Sequence, residues 1–319
     1  MTRRPEQDQC VPGRAVLGLD VAKASVTLHD LGSGRSRRLA NTREALLAAL
    51  EDYRDHDLAV CEATGGYEDV LLEVLVTLGI AAHRADAIRV RAFLRSHGTL
   101  AKSDPIDARG LALYGDDRFD SLVRWSPVGQ AQSELAALVE RRRDFVDIRA
   151  DEKKRLKAPR AALVEHEIRS FIAQLDQHIR SLEARITRLI KKCPRLSDAA
   201  RVLQSIPGIG PTVAATLLAG MPELGSMNRH QAAALAGLAP HPRESGSVQK
   251  HRTTTGGRRN LRQPLFLAAL TAVRQKGQLA DAYNNLLERR KPKRLALIAI
   301  ARRIVVIANA KVRDAQQLT

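Results

Sequence analysis

Two short apolar runs in the first third of the chain each end on a carboxylate. Val16-Leu17-Gly18-Leu19-Asp20-Val21 is one, and Leu58-Ala59-Val60-Cys61-Glu62 is the other. Runs of this length with almost no polar residue read as strands buried on both faces. Ser25 to His29 follows the first run after a short turn, which suggests a hairpin, and Ser36 to Ala40 reads as a further strand. Thr42 to Tyr53 has helical spacing through Leu46, Leu47 and Leu50, with Thr42 as N-cap. Helices are expected at Tyr67 to Leu78, Asp86 to Arg95 and Asp104 to Tyr114, with a short strand at Ile80 to His83 between the first two. The order βββαβαβα predicts an α/β domain with a mixed sheet.

Charge divides the chain unevenly. Residues 1–120 carry 16 Lys/Arg against 19 Asp/Glu, and the remainder carries 36 against 16. A slightly acidic domain therefore precedes a strongly basic one, and a block of that sign attracts a polyanion, most commonly nucleic acid. Of the basic residues 40 are Arg, whose fork suits phosphate and guanine. Aromatic residues make up only 3%, so backbone contacts to a duplex are expected over stacking of single-stranded bases.

Cys10, Cys61 and Cys193 have neither a disulfide pattern nor zinc spacing. Met1 to Gln9 is polar, and no apolar run approaches the roughly 20 residues that span a bilayer. The expectation is a cytoplasmic protein with no membrane partner.

Beyond the first domain the pattern is helical. Leu135, Leu138, Val139, Phe145, Val146 and Ile148, then Ile172, Leu175, Ile179, Leu182, Ile186 and Leu189, recur at helical steps. They predict a long antiparallel coiled-coil arm, broken near Pro159. The boundaries expected are a polar tail at 1–13, the α/β domain at 14–126, the arm at 127–196 and a mainly α C-terminal domain at 197–319.

Asp20 and Glu62 end strands, and Asp104 and Asp107 share one face at the start of a helix. Hard carboxylate oxygens suit Mg²⁺. Each acid also has an ordinary reading. Asp104-Pro105-Ile106-Asp107 fits an N-cap with Pro at the first position and an acid at the third, Asp20 fits a turn, and Glu62 fits a surface charge. Spacing alone leaves both readings open.

Three segments resemble a known family in order: Leu17-Gly18-Leu19-Asp20-Val21-Ala22-Lys23, Cys61-Glu62-Ala63-Thr64-Gly65-Gly66-Tyr67, and Lys102-Ser103-Asp104-Pro105-Ile106-Asp107-Ala108. They look like the acidic motifs of DEDD transposases of the insertion-sequence 110 family, relatives of the Piv DNA invertases. The resemblance implies a RuvC-like RNase H fold with Mg²⁺, or Mn²⁺ in its place, held by Asp20, Glu62, Asp104 and Asp107. Ser103 stands where Thr is usual and Pro105 where a basic residue is usual; neither removes a ligand.

Ser205-Ile206-Pro207-Gly208-Ile209-Gly210-Pro211 resembles the turn of a helix-hairpin-helix motif. Gly208 and Gly210 would there let backbone N–H groups meet a phosphate, unless this is an ordinary interhelix turn. The segment from Ala236 to Gly246, and the basic stretch after it, read as a flexible loop exposing a hydroxyl among cations. They are similar to the C-terminal transposase domain of the same family, which implies Ser245 as a nucleophile forming a transient phosphoserine with DNA. Arg243 and Lys250 would contact phosphate, with Arg252, Arg258 and Arg259 as further nucleic-acid contacts. Lys291 to Arg294 with the following helix matches the family's closing basic helix. Ala158-Pro159 departs from the Asn often found in the arm.

The family also implies DNA as substrate and a bridging guide RNA, with double-stranded DNA expected from the basic composition. The acids and Ser245 lie in different domains, so a composite site is expected, in a homodimer or homotetramer of the bacterial nucleoid. Two other functions fit fewer of these features. A metal-dependent Holliday-junction-type nuclease would need the acids without Ser245, and a non-catalytic nucleic-acid-binding protein would need only the basic region.

Overall fold

A strand flanked on both sides and covered on both faces has to be apolar throughout. Val16, Leu17 and Leu19 meet that condition at 0% exposure, and their strand is central in the sheet of a computed structural model of the chain. The structure describes residues 14–98, 103–127, 129–159, 161–245, 248–254 and 256–317. The chain divides into two units, Met1–Pro127 and Val128–Thr319.

The first unit contains β1 (Val16–Val21), β2 (Ser25–Asp30), β3 (Ser36–Ala40), α1 (Arg43–Leu50), β4 (Leu58–Glu62), α2 (Asp69–Thr77), β5 (Ala82–Ala85), α3 (Ala87–Ser96) and α4 (Asp104–Asp117). Strand order is β3-β2-β1-β4-β5. β1 pairs antiparallel with β2 and parallel with β4, which gives the mixed sheet that the order of elements predicts. Thr42 caps α1, its hydroxyl accepting from the Ala45 N–H at 3.4 Å. Asp86 caps α3 by accepting from the N–H groups of Ile88 and Arg89.

Side-chain alternation divides the sheet's residues between two cores. Leu17, Leu19, Ala59 and Cys61 pack with Leu46 and Leu50 of α1 and Leu71, Leu72 and Leu75 of α2. Val16, Leu58 and Val60 pack on the opposite face with Val90 and Phe93 of α3 and Leu111 and Ala112 of α4. Burial pushes the Cys61 thiol up to about 12, which keeps it protonated and unreactive.

The second unit contains α5 (Gln130–Arg155), α6 (Glu165–Lys192), α7 (Pro194–Gln204), α8 (Pro211–Gly220), α9 (Arg229–Leu235), β6 (Pro240–Ser245), β7 (Val248–Thr254), α10 (Arg259–Ala272), α11 (Gln278–Glu288) and α12 (Lys293–Gln317). α5 and α6 run antiparallel, because Arg142 reaches Glu183 at 2.6 Å while Arg149 reaches Asp176. The break between these helices includes Pro159, as its fixed φ and missing donor require. The arm and the C-terminal region, read separately from the sequence, share one core. Leu135 and Leu138 of α5 and Leu182 and Ile186 of α6 belong to the same apolar cluster as Leu203, Leu217, Leu265 and Ile304. None of the described helices is long and apolar enough to cross a membrane.

Candidate functional site

α4 lies across the sheet with its start toward the ends of β1 and β4 that carry acids. Four close approaches fix this direction. A methyl group on Gly115, near the end of α4, would meet Val60 at 2.7 Å and Val16 at 2.9 Å. One on Gly18, two residues further along β1 than Val16, would sit 2.6 Å from the Ala112 nitrogen and closer still to the Ala108 carbonyl oxygen. Continuing the same line, Asp107 immediately precedes Ala108 and Asp104 lies about one helical turn before it, while Asp20 lies two residues beyond Gly18.

The second acid-bearing strand is in register. Leu19 pairs with Cys61, so the next position places Asp20 beside Glu62. Asp20 alternates with Gly18, and Glu62 with Val60, so both carboxylates are on the face that α4 covers. The structure therefore brings Asp20, Glu62, Asp104 and Asp107 to one face at one end of the sheet. Asp20, Glu62 and Asp107 are half-buried and Asp104 is exposed.

Among the described residues no three His, Cys, Asp or Glu side chains are gathered into a ready-made metal centre. The four side chains are all carboxylates, the donor chemistry that a hard divalent cation takes.

Capping does not occupy Asp104. Ser103 takes the N-cap position and its side chain makes no capping bond, which places Asp104 and Pro105 in the first turn. The capping reading of Asp104 is thus off by one residue. A strand-like φ of −159° and ψ of 153° at Ser103, immediately before the helix, accounts for the shift.

Two further residues hold this end together, and neither stood out in the sequence. Glu68 is 2% exposed. One of its oxygens, Oε2, accepts from the Thr64 N–H at 3.1 Å, the Thr64 hydroxyl at 2.9 Å and the Gly66 N–H at 2.9 Å, while Arg84 lies 3.5 Å from the other. Burial opposes the charge, yet these donors hold the Glu68 carboxyl below the usual carboxylate range. The loop after Glu62 is folded around this group. Asn41 donates to the Ala22 and Tyr67 carbonyls at 3.1 and 2.9 Å, linking the turn after β1 to the loop after β4. Its Oδ1 is buried without a partner among the described residues. The Thr-Gly-Gly segment was the only local signal for Glu68; its partner Arg84 is too distant in sequence to be read.

The second unit carries the remaining sequence candidates. Ser245 ends β6, opposite Val248 of β7, so its segment is a two-stranded ribbon where a flexible loop was expected. Arg243 is paired with Lys250 in the register, and Arg252 lies on β7. Arg259 opens α10. Arg258 is bound within the unit: it donates to both oxygens of Glu223 at 2.7 and 2.9 Å and to the Gly220 carbonyl, anchoring the start of α10. Gly208 has φ of 87°, and a methyl group there would sit 3.0 Å from Ala272 Cβ and overlap the Ala268 carbonyl oxygen. Its glycine is required by packing against α10. Gly210, by contrast, has open space around it at the start of α8.

Comparison with known proteins matches this layout. A family model described as Transposase, of the DEDD type found in IS110 elements, matches residues 17–166 and so includes all four acids. The chain is a DNA transposase or recombinase. A second model, described as Transposase IS116/IS110/IS902 family, matches residues 200–284. The chain belongs to that family of insertion-sequence transposases.

Among its relatives is a pilin gene-inverting protein of Moraxella bovis, 28% identical over 259 residues, which cover 80% of each chain. Another is an uncharacterized 44.8 kDa protein of insertion element IS116 from Streptomyces clavuligerus, 34% identical over 158 residues, covering 47% of this chain and 39% of the other. Among solved structures, T. thermophilus RuvC in complex with a Holliday junction substrate is similar at a TM-score of 0.30 and 14% identity, over 35% of this chain and 99% of that one.

Proposed function

We propose that this transposase cuts and rejoins DNA with Asp20, Glu62, Asp104 and Asp107 holding Mg²⁺, or Mn²⁺ in its place, and with Ser245 as nucleophile. The observation that carries the reading is the convergence of two strand ends and one helix start on a single face of the first unit. A bound cation would neutralise charge on the phosphodiester. Asp20 and Glu62 come from adjacent strands, so sheet register sets their spacing. Asp104 and Asp107 come from one turn of α4, whose seat on Gly18 sets their height above the sheet.

Ser245 Oγ gives up its hydroxyl proton and forms a bond to phosphorus as the bond to the leaving strand's oxygen breaks, and that oxygen takes up a proton in turn. The phosphoserine conserves bond energy, so a strand hydroxyl can reverse the step with no high-energy cofactor. Arg243 and Lys250 occupy facing register positions, where like charges destabilise a ribbon. A phosphate backbone lying on that ribbon relieves the repulsion, which supports both as phosphate contacts, with Arg252 and Arg259 nearby in sequence. On this reading the substrate is double-stranded DNA, a guide RNA supplies sequence choice by pairing, and the chain works as a homodimer or homotetramer in the bacterial cytoplasm.

A denaturing gel after incubation with DNA of its own element tests the chemistry. The expected result is a protein–DNA adduct in the wild type and none in Ser245→Ala. Cutting that persists in Ser245→Ala with no adduct would instead identify a nuclease that uses water.

A further inference from the structure

Sheet register places one cation in the same row as the site's first acid. Asp20 of β1 pairs with Thr27 of β2, and Thr27 pairs with Arg38 of β3. Residues directly opposite in adjacent strands share a face, so Arg38 is on the face of the sheet that carries Asp20 and Glu62. Two strand spacings put its Cα about 10 Å from that of Asp20. The intervening Thr27 is buried at 7% exposure. Arg38 itself is exposed.

The arginine leans toward the acid end. Its Nη2 donates to Ser25 Oγ at 3.0 Å, and Ser25 starts β2 at the end where β1 finishes. A neutral hydroxyl leaves the guanidinium charge uncompensated, and no carboxylate pairs with Arg38 among the described residues. Arg37, one residue earlier, pairs with Leu28 in the register and therefore belongs to the opposite face, over α1 and α2.

We propose that Arg38 is a substrate-binding residue that holds a phosphate of the DNA strand lying over the carboxylates. The proposal rests on the DNA-cutting reading of that site. The planar fork takes a phosphate in two-point contact, and its place beside the acids offsets their repulsion of the incoming strand. Charged residues also protect exposed sheet edges from pairing, and that ordinary role makes Arg37 and Arg38 equivalent.

The test therefore compares the two neighbours in the full chain. In cutting assays Arg38→Ala is expected to lose at least tenfold in rate, Arg38→Lys to recover part of it, and Arg37→Ala to stay within twofold of wild type. In a Ser245→Ala background, a photo-cross-linking residue at position 38 is expected to capture duplex DNA of the element, and one at position 37 is not. Equal capture at both positions, capture of guide RNA in place of DNA at position 38, or wild-type cutting by Arg38→Ala overturns the proposal. Capture needs no phosphoserine. Loss of the adduct reading with selective capture at 38 intact would overturn only the nucleophile assignment.

Discussion

Replacing Gly18 by Ala tests whether the seat of α4 controls the site. The new methyl carbon would lie 2.6 Å from the Ala112 nitrogen, where ordinary contact begins at 3.4 Å. α4 must lift by about 0.8 Å to clear that atom, and by more to clear the Ala108 carbonyl. Both obstacles are backbone, so no rotamer change relieves them. Overpacking of this kind costs about 1–3 kcal/mol, and a backbone clash belongs at the upper end. For a unit of this size that lowers Tm by roughly 10 °C. Asp104 and Asp107 move with the helix, and a misplacement of about 1 Å can cost on the order of 10²-fold in rate. The assay is a melting curve together with the strand-cutting rate of the full chain. Gly32→Ala is the control, because a methyl group there meets nothing closer than 3.6 Å. Unchanged melting and full cutting in Gly18→Ala would refute the placement of α4 on β1.

Glu68→Gln exchanges a buried carboxylate for an amide, which weakens three charge-assisted hydrogen bonds; the expected loss is about 2 kcal/mol, with faster amide exchange confined at first to residues 63–67, and wild-type exchange there would show that the loop does not depend on Glu68. Acid should weaken the first unit before it weakens the second. Burial holds the pKa of His29 below 6.5, reinforced by Arg109, and burial likewise lowers that of His83. The unfolded chain then binds protons first as pH falls past 6.5, so stability is present above that value and lost as pH drops through the folded pKa values. Urea midpoints followed at Trp125 should hold from pH 8 to 7 and fall toward pH 5, less steeply in His29→Gln; a flat profile would contradict buried neutral imidazoles.

The parts of this fold that depend on local pattern were legible in the sequence. Leu17 and Leu19, with Ala59 and Cys61, announced two buried strands, and Thr42 announced the start of α1. Two kinds of feature were hidden. Glu68 and Arg258 act through partners 16 and 35 residues away, Arg84 and Glu223, and charge alone does not reveal such pairings. Gly18 and Gly208 read as an interruption and a turn, whereas each is required where a helix passes too close for a side chain. Asp104 shows how a boundary error of one residue changes a chemical reading. A cap would have occupied its carboxylate, and a first-turn position leaves it to project. The Ser245 segment was misread because strand alternation in a basic ribbon lacks apolar residues to mark it.

Among the described residues, one end of the long helical pair is embedded in the core of the second unit. Near its base, Leu135, Leu138, Leu182 and Ile186 are embedded in the mass of the second unit, while further out Leu175 and Ile179 are buried outside that mass. Cooperative strength therefore declines with distance from the base. Warming should fray the pair from its Pro159 end inward, while a load applied to that end is carried to α7 and α8, the helices packed against its base.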